Sequence, residues 1–314
     1  MATEPTQAGK NMQPKQERGK LVRLAALNIA MHSPHSPQRY VELMQDAFAL
    51  KAKVDFGELH SLMLGQLDRP DPANPLEPLA GEMYRFLQLD ASDPWFNTLT
   101  NRPAEDEDVS QIQIPGYLLP RLQRIPFVFF PENHRLVFVT KMGKVALYPQ
   151  KRTSLGVSTA AKFFGSLFGH EELVAKYQQV NVTQIPKSDE VERILAMSGI
   201  QRLTIYLTRP NADDGEDASE RLMERLQNQN ASSYLSVMDA ATSEGLEPDE
   251  ETKDIAREAA ENGRVEAKVR DANGKIVHKS TENIPKIEPV TLNERTQTLT
   301  GLLKSSLSLF TRNR

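Results

Sequence analysis

Residues 21–31 are apolar at nearly every position, with only Arg23 and Asn28 intruding. A run that is apolar on both faces is the pattern of a strand in the middle of a sheet. After the turn His32-Ser33-Pro34-His35, Ser36 followed by Pro37 marks a helix start, because a serine hydroxyl accepts from a free first-turn amide and proline fits the first helical position. Tyr40, Met44, Ala47 and Phe48 share one helical face, which predicts a helix ending near Lys53. Residues 56–67 and 81–89 read as strands, the second with Met83, Leu87 and Leu89 on one side. Pro70, Pro72, Pro75 and Pro78 exclude regular structure between them. Residues 90–124 form a long irregular insert rich in proline and acid, a length usually tied to function or a partner. Residues 125–130 and 135–140 make a hairpin around Pro131-Glu132-Asn133-His134. Phe127 and Phe129 alternate there with Val128 and Phe130, so both faces are expected to be buried.

Residues 141–157 read as a loop, which puts a lobe boundary near 155. Beyond it, Ser158 caps a helix with Phe163, Phe164, Leu167 and Phe168 on its apolar face. A strand over 179–185 and a helix over 187–197 follow. Residues 201–208 alternate cleanly: Leu203, Ile205 and Leu207 point one way, Arg202, Thr204, Tyr206 and Thr208 the other. An acidic loop (Asp213, Asp214, Glu216, Asp217) leads to a helix over 219–227, then a strand over 233–240. Asp249 caps a charged helix ending at Asn262, with Gly263 as its stop. Residues 264–270 and 275–280 form a hairpin through Asp271-Ala272-Asn273-Gly274. A strand over 285–292 and a last helix carrying Leu299, Leu302, Leu303 and Leu307 complete the pattern. The expectation is an α+β protein with mixed or antiparallel sheets and packed helices: a disordered tail (1–19), an N-terminal lobe (20–155) and a C-terminal lobe (156–314).

Composition narrows the function classes. Lys and Arg number 38 against 42 Asp and Glu, so no general attraction to polyanions is written in, although near-neutral totals hide local patches. The absence of cysteine excludes disulfides, zinc–thiolate sites and cysteine nucleophiles. With no leader-like apolar core in residues 1–20 and no apolar run long enough to span a bilayer, a cytoplasmic protein is expected. The chain lacks a P-loop, a dinucleotide fingerprint and a nucleophile elbow. His32 and His35 share a turn but have no carboxylate motif beside them, so they read as surface residues.

Two patterns carry candidate chemistry. Arg264, Lys268, Arg270, Lys275 and Lys279 cluster on one hairpin, with Arg202 and Arg209 on or just after a neighbouring strand. A basic β-ribbon can track a phosphate backbone, so DNA or RNA is the expected partner. Those charges also suit neutralisation of the acidic helix beside them. The alternative is a divalent-metal-dependent nuclease: Pro248-Asp249, then Glu266-Ala267-Lys268, in which Asp249 and Glu266 would hold Mg²⁺ and Lys268 would act on the attacking water. Asp249 as a helix cap and Glu266 and Lys268 as a solvated strand face explain the same residues without a metal. Trp95, Phe96, Phe127, Phe129, Phe130 and Phe138 are expected in the core rather than stacked on bases. The insert and the terminal leucine stripe (with Phe310) also admit a protein-interaction role or a homo-oligomer.

Several short segments together are similar to an uncharacterised bacterial family. They are Trp95-Phe96-Asn97, Ile114-Pro115, Leu119-Pro120, Phe127-Val128-Phe129-Phe130-Pro131, His134-Arg135-Leu136, Leu207-Thr208-Arg209-Pro210-Asn211, Pro248-Asp249-Glu250-Glu251-Thr252 and Ala260-Glu261-Asn262-Gly263. The family is domain of unknown function 4747, and the resemblance covers most of residues 20–292. It implies bacterial genomes, mobile elements and phage-defence (antiviral) neighbourhoods, and assigns no catalytic residue. The combined expectation is a non-enzymatic nucleic-acid-binding or sensing component without a cofactor.

Overall fold

β1 (Lys20–Met31) is the strand about which the molecule is organised. The computed structural model describes residues 19–31, 36–89, 93–112, 114–187, 189–208, 222, 224–226, 228–271 and 273–311. The tail 1–18, His32, His35, Arg209, the acidic loop 213–217 and most of the helix expected over 219–227 lie outside the described residues. α1 (Pro37–Ala49) starts as its sequence dictates: Ser36 Oγ accepts from the Arg39 amide at 3.3 Å, with Pro37 at the first position. It stops four residues before the expected end. β2 (Val54–Phe56), β3 (His60–Leu67) and β4 (Leu79–Leu87) follow. The insert is not wholly irregular: β5 (Phe96–Asn97) pairs with β6 (Arg102–Pro103), and α2 (Asp106–Ser110) is a short acidic helix.

β7 (Gln123–Phe130) and β8 (Arg135–Val145) form the expected hairpin. The expected loop over 141–157 is corrected: β8 continues to Val145 and turns into β9 (Tyr148–Ser154), which pairs back on it. α3 (Val157–Phe168) begins one residue before Ser158, with Gly156 at the cap position. α4 (Glu171–Tyr177) has no counterpart in the pattern reading. β10 (Val180–Gln184) and α5 (Glu190–Leu195) are shorter than expected; Pro186 and Lys187 instead extend the chain in an isolated bridge to Ile284 and Pro285, with the Lys187 amide donating to Ile284 O at 3.0 Å. β11 (Ile200–Thr208), β12 (Ser233–Asp239), α6 (Glu250–Asn262), β13 (Gly263–Arg270), β14 (Ile276–Ser280), β15 (Glu288–Leu292) and α7 (Leu299–Ser305) complete the described chain.

The described strands form one large sheet, one small four-stranded sheet and the two-stranded β5–β6 ribbon of the insert, and every described pairing between named strands is antiparallel. The large sheet runs β10-β1-β8-β7-β4-β3-β2, with β15 beside β10 on the edge of β1 away from β8 and β9 beside β7 on β8. The small sheet runs β12-β11-β13-β14. The chain is therefore α+β, and its elements sort by sheet rather than by a cut at 155: β10, β15, α3, α4 and α7 all join the large sheet.

Burial on both faces of β1 explains its continuous apolar run. Ala25, Leu27, Ile29 and Met31 pack under α1, α3 and α4 with Phe127, Phe129 and Phe138. Val22, Leu24 and Ala26 face the opposite way, into a core shared with Val128, Phe130 and α7. That second core buries Leu299, Leu302, Leu303 and Phe310, so the terminal leucine stripe docks on its own molecule. The small sheet buries Leu203, Ile205, Leu207, Val265 and Ala267 against α5 and α6.

Gly263 departs from its expected role. Its φ of 175° is extended, so α6 passes straight into β13 without a left-handed stop. Glycine is required there by proximity, since a Cβ would lie 1.9 Å from Tyr206 O on β11.

Candidate nucleic-acid interface

The face of the small sheet turned away from α5 and α6 is not covered by any described element. Strand register fixes its contents. One row across the sheet is Asp239, Arg202, Lys268 and His278; the next is Val237, Thr204, Glu266 and Ser280; a third is Leu235, Tyr206 and Arg264. Arg270 and Ile276 extend the face at the β13–β14 end. Four cations therefore stand beside two carboxylates, with the exposed side chains of Leu235, Val237 and Ile276 between them.

The pairing within this face is uneven. Arg202 is held by Asp239 through a fork, Nε–Oδ1 2.5 Å and Nη2–Oδ2 2.9 Å. That hydrogen-bonded pair keeps the Asp239 carboxyl below the usual range and raises Arg202. Arg264 Nε donates to Glu266 Oε1 at 2.9 Å, and its guanidinium lies over the Tyr206 ring, 4.8 Å from the centroid. His278 Nε2 is 3.6 Å from the other Glu266 oxygen. Lys268 has no ion-pair or hydrogen-bond partner among the described residues. Arg270 makes only a long bond, 3.4 Å, to Gly274 O.

The structure thus brings Arg202, Arg264, Lys268 and Arg270 onto one surface. Lys279 is not among them: it pairs in register with Ala267 and belongs to the inner side of the ribbon. Lys275 lies in the turn, its amide held by Asp271 Oδ1 at 2.9 Å. Arg209 lies outside the described residues.

The alternative trio is not assembled. Asp249 caps α6, its Oδ1 accepting from the Thr252 amide at 2.8 Å, and hydrogen bonds from the Thr252 side chain and amide lower its pKa. α6 packs on the inner face of the small sheet, whereas Glu266 and Lys268 are on the outer face, alternating with Val265 and Ala267, which turn inward. Among the described residues no three of His, Asp and Glu come together as metal ligands.

A second region is invisible in the linear pattern. The two sheets meet through a buried polar group: Asn28 on β1, Arg135 on β8, and Glu258, Glu261 and Asn262 on α6. Arg135 Nη2 is 3.3 Å from Glu261 Oε2, its Nη1 donates to Asn28 Oδ1, and Thr183 Oγ1 donates to Glu261 O at 2.9 Å. Next to it lies a cavity of about 670 Å³ lined by Lys187, Glu192, Arg257, Glu261, Lys286 and Phe310 among others. Its charges are balanced internally: Arg257 forks onto Glu192 at 2.6 and 3.2 Å, which holds the Glu192 carboxyl down. The only hint in the sequence was Asn28 within an apolar run.

These features define an antiparallel α+β protein whose smaller main sheet has an open, cation-bearing face. The chain belongs to the family described as Domain of unknown function (DUF4747), whose model matches residues 20–307. No curated protein matches it. No helix of the described residues is long and apolar enough to cross a membrane.

Proposed function

We propose that the protein binds single-stranded nucleic acid on the uncovered face of the small sheet, as a non-enzymatic sensing component. The observation that carries this reading is the juxtaposition of the unpaired Lys268 and loosely held Arg270 with the Arg264–Tyr206 stack on that face. Cations at this spacing neutralise successive phosphates. An aromatic ring backed by a guanidinium, beside Leu235 and Val237, offers a surface to unstacked bases, which a duplex does not present. The phage-defence role is the part of the proposal that rests on family resemblance alone.

The test is a titration of single- and double-stranded DNA and RNA at two salt concentrations, with and without Mg²⁺. The expected result is salt-sensitive binding of single strands, independent of Mg²⁺ and weakened by Lys268→Ala and Arg270→Ala. Failure to bind any of the four, or equal binding by the variants, would overturn the assignment. Mg²⁺-dependent cleavage lost in Asp249→Ala would replace it with the nuclease reading.

A further inference from the structure

β1, β8 and β9 bring three exposed cations together on the large sheet, a different sheet from the one that bears the candidate interface. Arg23 on β1 is directly opposite Lys141 on β8, and Gly143, two residues on, is opposite Arg152 on β9. The three side chains, with Leu21, Met142 and Gly143, line a recess of about 290 Å³. It is on the face covered elsewhere by α1, α3 and α4: Arg23 alternates with Val22 and Leu24, which point into the opposite core. None of Arg23, Lys141 and Arg152 has an ion-pair partner among the described residues. Arg85 on β4 adds a fourth cation nearby, its Nη1 3.4 Å from Ser154 O at the end of β9.

This arrangement is unfavourable for folding alone. Like charges directly opposite in an antiparallel pair destabilise it. Cations on sheets commonly protect free edges from association, but β1 and β8 are interior strands, each paired on both sides. Gly143 removes a side chain from the middle of the group, and a Cβ there would meet nothing within 4 Å, so no packing constraint explains the glycine's bareness. An anion in the recess would relieve the repulsion. Two guanidinium forks and an ammonium suit tetrahedral, multiply charged oxygen donors better than a single carboxylate.

We infer that this recess binds a phosphate group carrying at least two negative charges, either from a free nucleotide or from the terminal phosphate of a nucleic-acid strand. The site does not depend on the small-sheet reading, and its test uses different residues. The probe is pyrophosphate, titrated calorimetrically at low ionic strength into the full chain and into Arg152→Ala, Lys141→Ala and Lys162→Ala. Lys162 is an exposed cation on α3 and serves to match the change in net charge.

Saturable binding is expected, weakened at least tenfold by Arg152→Ala and Lys141→Ala and unchanged by Lys162→Ala. The two recess variants are also expected to unfold at the same temperature as the parent or higher, since each removes repulsion. Two further titrations separate the sources: a strand end requires tighter binding of an oligonucleotide with a 5′ phosphate than of its 5′-hydroxyl twin, lost in Arg152→Ala. A free nucleotide requires ATP binding lost in Arg152→Ala, with no difference between the twins. Absence of saturable pyrophosphate binding, or an equal loss in Lys162→Ala, would overturn the proposal.

Discussion

Asn28 Nδ2 donates to Asn262 Oδ1 at 2.7 Å, joining the central strand of the large sheet to the last turn of the helix that covers the small one. The two residues are only 2% and 3% exposed. Asn262 in turn donates to Glu258 Oε1 at 2.6 Å and accepts at its carbonyl from Thr208 Oγ1 on β11, so the bond links β1, α6 and β11 in one step. A polar side chain in an apolar strand is tolerable only when its donors and acceptors are met. Here Asn28 meets them with groups from the other sheet, which makes the docking of the two sheets specific as well as adhesive.

Asn28→Ala is expected to lower stability by about 3 kcal/mol, because Arg135 Nη1 and Asn262 Oδ1 lose a buried partner together. Asn262→Ala should cost a similar amount. The double variant should be less destabilised than the sum by roughly 1 kcal/mol, since the second change removes a group already orphaned. Urea midpoints of the four proteins measure this, and additive losses would show that the bond contributes nothing of its own.

Gly263→Ala is expected to be among the most damaging single substitutions in the small sheet. The atom a Cβ would strike, Tyr206 O, belongs to the backbone of a paired strand and cannot rotate away. A loss of about 3 kcal/mol is expected, at the upper end for overpacking. Gly274→Ala is the comparison: φ is +79° in the β13–β14 turn but the space is open, so only the left-handed strain of about 1 kcal/mol remains. The same unfolding assay ranks the two, and a milder effect at Gly263 would mean that β11 and β13 can separate.

Much of this fold was legible because it is local. Ser36-Pro37, the alternation in β11, the Asp271-Ala272-Asn273-Gly274 turn and the two-faced apolar strands β1, β7 and β8 each signal through neighbouring residues. β9 was missed because Tyr148-Pro149-Gln150-Lys151-Arg152 carries no apolar alternation; it becomes a strand by pairing with the extension of β8. Gly263 looked like a helix stop since glycine is common there, and only the approach of β11 reveals the reason for it. Period two put Glu266 and Lys268 on one solvated strand face, and Arg264 and Arg270 share their parity, but that this face of the small sheet is uncovered emerges only from the packing of α5 and α6 on the other. Lys279 belongs to the same hairpin, but the register pairs it with Ala267 on the inner side. The Arg23–Lys141–Arg152 group depends on pairing between strands more than a hundred residues apart, which no local pattern encodes.

The contact between α1 and α4 should give stability a pH dependence at both ends. Burial pushes the Tyr177 phenol up, and its bond to Asp46 Oδ2 at 2.6 Å pushes it further, to about 12. A folded value above the unfolded one, near 10, means a contribution fully present below pH 10 and lost as the pH rises through about 12. Burial alone would raise the Asp46 carboxyl, but hydrogen bonds from Lys176 and Tyr177 outweigh it and leave it low. Its contribution is therefore present above the unfolded value near 4 and lost as the pH falls below that. Burial also raises the Tyr148 and Tyr84 phenols, so Tyr177→Phe should remove one late phenolate titration and its share of the alkaline loss, and weaken the acid one. An unchanged number of late-titrating phenols would show that Tyr177 ionises in the ordinary range.

The charge pairing on the open sheet face predicts a gain of function. Asp239 occupies Arg202 through a two-bond fork, so Arg202 is withheld from an incoming phosphate. Both groups are well exposed, and the pair itself contributes little to stability. Asp239→Asn should therefore leave folding unchanged and release one cation. Single-strand affinity should rise, and the slope of log K against log salt should steepen by about 0.7, the increment for one more phosphate neutralised. Lys268→Ala, one strand away in the same row, should make the slope shallower by the same amount. Opposite shifts from two neighbours in one row would locate the strand across β11 and β13. Were Asp239→Asn to change neither slope nor affinity while Lys268→Ala weakened both, the nucleic acid would be confined to the β13–β14 ribbon.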